Sequence, residues 1–238
     1  MVVSKPRLAV AAVVALLPAF VAAPSAQQRD FVQAQRANAE ALREYVWKSR
    51  TELKLNGESR HVRLEQVRYD LDGRLQRTQI GGGAGGSQDP GVGRGRSGGP
   101  LRQRVVAKKQ DEFKELMNDL AGLAASYAHL PPDRLQAFAS RATITKGQGI
   151  ETGSLRIEGR GVLGAEDEMV VWIDPMSSMM RRVEIRTALE AKPVHIAAGY
   201  RSLDNGLTYQ ARSVLRYPDK QLNLTVENFD YRFVARSR

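Results

Sequence analysis

The 238-residue chain has no cysteine. That rules out disulfides, thiolate metal sites and a cysteine-linked lipid. Histidine is also scarce. His61, His129 and His195 are the only three, and they lie far apart in the chain. None has a partner at metal-ligand spacing, so they read as surface or packing residues. There is no G-x-S-x-G elbow, no H-E-x-x-H pair and no phosphate-binding P-loop. Asp70-Leu71-Asp72-Gly73 begins like a calcium loop, but the later ligands are missing and a hairpin turn accounts for it. Glu166-Asp167-Glu168, just before a strand, reads as another turn. Nothing singles out the carboxylate pair that glycoside cleavage needs. The expectation is a protein that is not an enzyme and uses neither metal nor cofactor.

Long apolar runs are missing as well, except at the start. Lys5 and Arg7 are the only charges before Arg29, and the small and apolar run 8–23 between them is interrupted by Pro18. It is shorter than the roughly 20 apolar residues a spanning helix requires. Ala23-Pro24-Ser25-Ala26 follows, with small residues one and three positions before Gln27. A basic start, a short apolar centre and an A-x-A-like exit form a secretory signal peptide. The expected organisation is a signal peptide over 1–26 and one domain over 27–238, released into the periplasm.

What the chain has in excess is positive charge, a formal +10 to which Lys5 and Arg7 contribute two. A basic surface favours anionic partners, or serves solubility alone. Export argues against nucleic acid, leaving an anionic membrane surface or an envelope protein. Glycine is concentrated in one place, with ten among the nineteen residues 81–99. Ordering so many glycines is entropically costly, so 81–104 is expected to be a flexible Gly/Arg-rich excursion.

The remaining sequence is strongly patterned. Residues 28–42 have helical spacing at Phe31, Ala34, Ala37 and Leu42. From Tyr45 the period becomes two, with Trp47, Ser49, Thr51, Leu53 and Leu55 on one face and Lys48, Arg50, Glu52 and Lys54 on the other. Asn56-Gly57 and Asp72-Gly73 turn this strand into a three-stranded meander ending near Ile80. Over 111–128, Phe113, Leu116, Met117, Leu120, Leu123, Ala124 and Tyr127 make one apolar helical stripe. Pro131-Pro132 ends it and opens a second helix, 133–141, giving a helical hairpin. Six further strands are expected near 154–163, 168–174, 179–189, 193–203, 207–217 and 221–234, with short connections that imply antiparallel pairing. Two strands switch phase, from Val62 and Leu64 to Val67 and Tyr69, and from Leu222, Leu224 and Val226 to Phe229 and Tyr231. A bulge reconciles such a switch and bends the sheet. The fold class is therefore α+β: a strongly curved antiparallel sheet, an incomplete β-barrel, of about nine strands with an N-terminal helix and an inserted helical hairpin.

Two arrangements fit this pattern. In one, hairpin and sheet pack as a filled core. In the other, the hairpin is a lid over a cavity for acyl chains. The second makes Tyr45, Trp47, Phe113, Leu116, Met117, Leu120, Leu123, Val183, Ile185, Tyr209, Phe229 and Tyr231 the candidate ligand-binding residues, with the helical stripe near Trp47, Tyr209 and Tyr231.

Val170-Val171-Trp172-Ile173-Asp174-Pro175, followed by Met180-Arg181-Arg182-Val183-Glu184-Ile185, is similar to the strand–turn–strand unit V-W-x-D-P…x-R-R-x-E-x of LolA-like periplasmic outer-membrane lipoprotein-sorting proteins. Tyr200-Arg201-Ser202-Leu203 and Val226-Glu227-Asn228-Phe229-Asp230-Tyr231 resemble their closing strands. In architecture the resemblance spans roughly 28–235. It implies a half-barrel whose helices cover a hydrophobic cavity, and a non-enzymatic binder or carrier of lipid acyl chains or lipoproteins. The Gly/Arg-rich excursion and the basic balance depart from the lipoprotein carrier itself. The other reading is a structural or regulatory envelope protein that docks an anionic partner through its basic surface.

Export makes one direct prediction. Mass spectrometry of protein recovered from the cell envelope should give an N-terminus at or within a few residues of Gln27. An intact Met1 would contradict the signal peptide.

Overall fold

The computed structural model describes residues 26–70, 72–83, 100–128 and 130–234, with no side-chain detail at 26–32, 83, 100–107, 109, 110 and 132. The proposed signal peptide, His129 and most of the Gly/Arg-rich excursion lie outside the described residues. Among the described residues, ten strands form one sheet, and every neighbouring pair is antiparallel. The first three are β1 (Tyr45–Leu55), β2 (Glu58–Tyr69) and β3 (Leu75–Gly83). The others are β4 (Thr143–Lys146), β5 (Leu155–Arg160), β6 (Glu168–Ile173), β7 (Met180–Leu189), β8 (Lys192–Ser202), β9 (Thr208–Tyr217) and β10 (Leu222–Phe233). Three α-helices accompany them: α1 (Ala26–Leu42), α2 (Pro100–Ala128) and α3 (Pro132–Arg141).

The sheet order is β3-β2-β1-β10-β9-β8-β7-β6-β5-β4. Two meanders are thus joined where β1 meets β10, and β3 and β4 are left as free edges, so the barrel is incomplete. Curvature comes from the register. Shifts interrupt the β1–β10, β1–β2, β2–β3, β6–β7 and β8–β9 ladders, and each irregularity bends its strand and increases the local twist.

The two phase switches have different outcomes. In β10, Asp230 adopts φ 57° and opens a bulge opposite Trp47, which returns Tyr231 to the inner face beside Trp47. In β2 the pairing with β1 runs unbroken from His61 to Arg68. Val62 and Leu64 therefore stay on the outer face opposite Glu52 and Arg50, while Val67 lies fully buried on the inner one.

Two expectations needed extension. Helix α2 begins at Pro100, not near residue 111, so the end of the expected excursion is helical and its first three glycines close β3. Long unbranched Arg and Lys side chains favour helix as well as solvent, and proline suits a first helical turn. The tenth strand, β4, is four exposed residues on an edge and carries no apolar alternation to reveal it.

The helices cover the inner face and create two connected cores. In the first, Tyr127 and Phe138 pack with Ile157, Met169, Val171, Val183 and Ile185. A Cβ on Gly159 would stand 2.9 Å from the Phe138 ring, so α3 sits this close only because β5 has a glycine there. In the second, Leu120 is wholly buried among Leu53, Val194, Leu215, Tyr217 and Leu222. Leu123 and Ile196 border both cores.

Polar contacts fix where the helices sit. On α1, Asn38 donates to the Thr208 carbonyl and accepts from the Thr208 N–H, both at 2.7 Å. At the C-terminal end of α2 the Tyr127 hydroxyl donates to the buried Asp167 carboxylate, 2.5 Å away. Asp167 also accepts the backbone N–H groups of Val162, Leu163 and Gly164 at 2.7–2.9 Å. Burial opposes its charge, but Tyr127 and these three N–H groups more than offset that and hold the carboxyl below its usual range. Burial, and then Asp167 itself, push the Tyr127 phenol upward.

These directions set a pH window. Asp167 contributes stability above the unfolded carboxyl pKa and loses it as pH falls through its lower folded value. Tyr127 contributes below the unfolded phenol pKa of about 10 and loses it as pH rises through its higher folded value. The contact is therefore intact between about pH 4 and pH 10. Asp167→Ala, which strands three N–H groups and a hydroxyl, should cost about 3 kcal/mol at neutral pH, and Tyr127→Phe about 1 kcal/mol. Urea melts at pH 7 and pH 3 check this, and the gap between wild type and Asp167→Ala should shrink at pH 3.

The β7–β8 hairpin supplies a second test. Its turn residues Glu190 and Ala191 both have left-handed backbones, at φ 48° and 63°. The Asn56-Gly57 turn holds the same sign of φ with residues suited to it. Glu190→Asn with Ala191→Gly should raise stability by about 1 kcal/mol in thermal melts.

Candidate functional site

The inner face is not uniform along its strands. At one end lies an aromatic group. Trp47 stacks on Tyr231 with ring centroids 5.3 Å apart and planes 3° from parallel. Tyr209 meets Tyr231 at 4.3 Å, and Tyr69 meets Trp47 at 5.8 Å. Tyr45 and Phe233 extend the group to the strand ends. Burial pushes the Tyr231 phenol upward, reinforced by Tyr209 and Tyr69, so the ring stays neutral.

Next along the strands comes a polar band. Ser49 is fully buried and its hydroxyl has no hydrogen-bond partner among the described residues. It pairs with Glu65 on β2 and Asn228 on β10. Glu65 is also buried, its carboxylate held by Arg63 at 3.4 Å and Arg77 at 3.2 Å. Beyond this band the face becomes apolar at Leu53, Leu222 and Leu224, where the α2 stripe packs.

The candidate residues therefore divide. Phe113, Leu116, Met117, Leu120 and Leu123 share the core with Leu53, Val194 and Leu215. Neither Trp47, Tyr209 nor Tyr231 is among the residues packed there, so the expected contact between stripe and aromatic group is replaced by the polar band. Val183 and Ile185 are buried beneath Phe138 and Tyr127. Tyr45, Trp47, Tyr209 and Tyr231 come together as one group. Phe229 belongs to neither region: it pairs with Lys48 just before the bulge and is 40% exposed. The bulge at Asp230 separates it from Tyr231, although simple alternation puts both on one face.

Burial also grades along α2. Leu120 and Tyr127 are buried, while Phe113, Leu116, Met117 and Leu123 are only partly so. The strongest polar attachment, Tyr127 to Asp167, is at the C-terminal end. Sequence reading missed Tyr69, Phe233 and Asp167 as parts of this surface. The aromatic pair lay on the expected inner parity and was legible in principle; the role of Asp167 depends on a loop geometry that no motif announces. Among the described residues no three His, Asp or Glu side chains converge to hold a metal, and no helix is long and apolar enough to cross a membrane.

No family model matches the chain, and no curated protein matches it. Solved structures do resemble it. A DUF1329 family protein from Desulfovibrio piger is 8% identical with a TM-score of 0.45, over 89% of this chain and 94% of that one. A LolA superfamily protein from Nitrosomonas europaea is 7% identical with a TM-score of 0.36, over 85% and 94%. A domain described as outer membrane lipoprotein-sorting, from Vibrio parahaemolyticus, is 11% identical with a TM-score of 0.39, over 89% and 95%. The likeness to these LolA-like structures is one of fold.

Proposed function

We propose that the chain is an exported, non-enzymatic binder or carrier of lipid acyl chains or lipoproteins, working in the periplasm. The observation that supports this reading most is the gradient along α2. A helix held over its C-terminal half by Tyr127 and the buried Leu120, and before that only by the half-buried Phe113, Leu116 and Met117, can hinge like a lid. Swinging it outward about that end uncovers Leu53, Val194, Leu215 and Leu222, an apolar floor suited to an acyl chain. The ligand replaces the contacts of Phe113, Leu116 and Met117, so the free energy of opening is offset by burial of the chain.

The other reading, a structural or regulatory envelope protein with a filled core, draws support from the complete burial of Leu120. The two differ in what mutation does. Leu120→Ala removes a buried leucine in either case and should cost about 2–5 kcal/mol. Leu116→Ala and Met117→Ala, at half-buried positions, should cost about 1 kcal/mol each, less than a full side-chain burial. In the carrier they should also weaken saturable binding of a fluorescent fatty acid. Wild-type protein that shows no saturable binding, with stability losses as the only effect of the variants, would leave the filled-core reading in place.

A further inference from the structure

The outer face of the sheet, opposite the helices, carries a trough of about 520 Å³ across β7, β8 and β9. Its lining includes five arginines, at 181, 182, 186, 212 and 216, together with His195, against two acids, Glu151 and Glu184. Strand pairing arranges these in rows. Arg186, His195 and Arg216 lie directly opposite one another on successive strands, and four residues along, past Glu184, Ala197 and Val214, come Arg182, Gly199 and Arg212. The arginines of each row flank His195 or Gly199 across one strand, so four guanidinium groups stand around a single acid, Glu184, on these three strands. Some of the charge is relieved. Arg182 reaches Glu184, Arg186 lies 3.5 Å from Glu168 and Arg212 lies 3.8 Å from Glu227. Arg216, at the β9 end of its row, has no ion-pair partner among the described residues.

The floor adds a second, independent observation. Gly199 stands within a strand, where glycine weakens the pairing and often marks close approach by a ligand. Its backbone does not require glycine, and a Cβ placed there would meet nothing within 4 Å. Neither strain nor crowding accounts for it, although the β8–β9 register shift falls beside it, between Gly199 and Tyr200. What a side chain at this position would occupy is the trough, with Ala197 two residues away on the same face of β8. The result is a concavity with a small-residue floor and guanidinium walls.

We propose that this trough binds the phosphate-bearing headgroup of an anionic phospholipid presented at a membrane surface. Planar guanidinium groups match phosphate oxygens two at a time, and the volume lies in the range of small-ligand sites. Arginines border the small-residue floor on both sides and leave no long apolar run for an acyl chain, whereas a headgroup held by its bilayer needs only the phosphate recognised. The trough is on the face opposite α2, so this inference stands independently of whether the inner face takes an acyl chain.

Co-sedimentation of the full mature chain with phosphatidylglycerol/phosphatidylcholine vesicles tests it, with pure phosphatidylcholine vesicles alongside. Wild type should pellet with the anionic vesicles only. Arg216→Ala should weaken this by about fivefold, the usual effect of one basic residue near an anionic surface. Gly199→Val keeps every charge, fills the floor and suits a strand; it should melt no lower than wild type yet bind more weakly. Arg134→Ala, on α3 away from the trough, should bind as wild type. Should Gly199→Val fail to fold, Gly199→Ala and Arg216→Ala decide. Equal binding to both vesicle types, or normal binding by a folded Gly199→Val, would overturn the site. Saturable binding of inorganic phosphate by calorimetry without any vesicle binding would overturn the lipid as its source.

Discussion

A sheet that does not close must have its apolar face covered, and this requirement governs the rest of the molecule. Ten strands curve without β3 meeting β4, so the concave side is open to water unless another layer fills it. Helix α2 is that layer. Its residue Leu120 is buried against strands from both meanders, β1 on one side of the junction and β8, β9 and β10 on the other. Leu123 then continues into the other core, where Tyr127 and α3 cover β5, β6 and β7. One helix thus buries surface from most of the sheet, and its placement follows from a single polar attachment near its C-terminus. That attachment is strong because the Asp167 carboxylate is already organised by three backbone N–H groups before Tyr127 reaches it.

Most strands were legible because a sheet with one wet face writes a period of two into its sequence. The Arg182–Glu184–Arg186 alternation with Val183 and Ile185 is a clear case, and the observed strand β7 matches it closely. Legibility failed where burial was absent or local geometry intervened. Strand β4 is exposed throughout and has no pattern to read. The first turns of α2 are rich in Arg and Lys, which say solvent but do not say coil. Phe229 was misplaced relative to Tyr231 because a left-handed Asp230 breaks the alternation. The bulge itself was inferable from the phase switch, but which residue would leave the face was not. Of the candidate site, the stripe and the aromatic group were each recoverable from periodicity. Their separation by Ser49 and Glu65 was not, since polar residues on an inner parity look like exceptions until the pairing shows them side by side.

The outer face obeys a different logic. Its ion pairs are mostly exposed and between near neighbours, such as Arg50 with Glu52 and Arg156 with Glu158, and pairs of this kind contribute little to stability. Trp172 lies between Arg156 and Arg182, with guanidinium carbons 5.9 and 5.7 Å from its ring. The aromatic face orients Arg182 at the margin of the trough. Folding alone would be served by alternating signs across every strand. On β7, β8 and β9 one acid, Glu184, stands among Arg182, Arg186, Arg212 and Arg216, and the small residues Ala197 and Gly199 lie between these strands' charges.

Such a departure from local consistency is informative because the rest of the sheet is consistent. The inner face needs covering and is covered; the outer face needs only to be wet, and almost any polar residue would suffice. Where a face with so little demanded of it instead concentrates arginines around Ala197 and Gly199, the arrangement favours the arrival of negative charge. On the reading proposed above, the two faces divide the recognition of an amphipathic lipid: apolar surface beneath α2 on one side, and guanidinium groups that match phosphate on the other. A chain that meets a bilayer through the second keeps the first turned away from it. An acyl chain must then reach α2 around an edge of the sheet, and β3 and β4 are the two edges that the incomplete barrel leaves free.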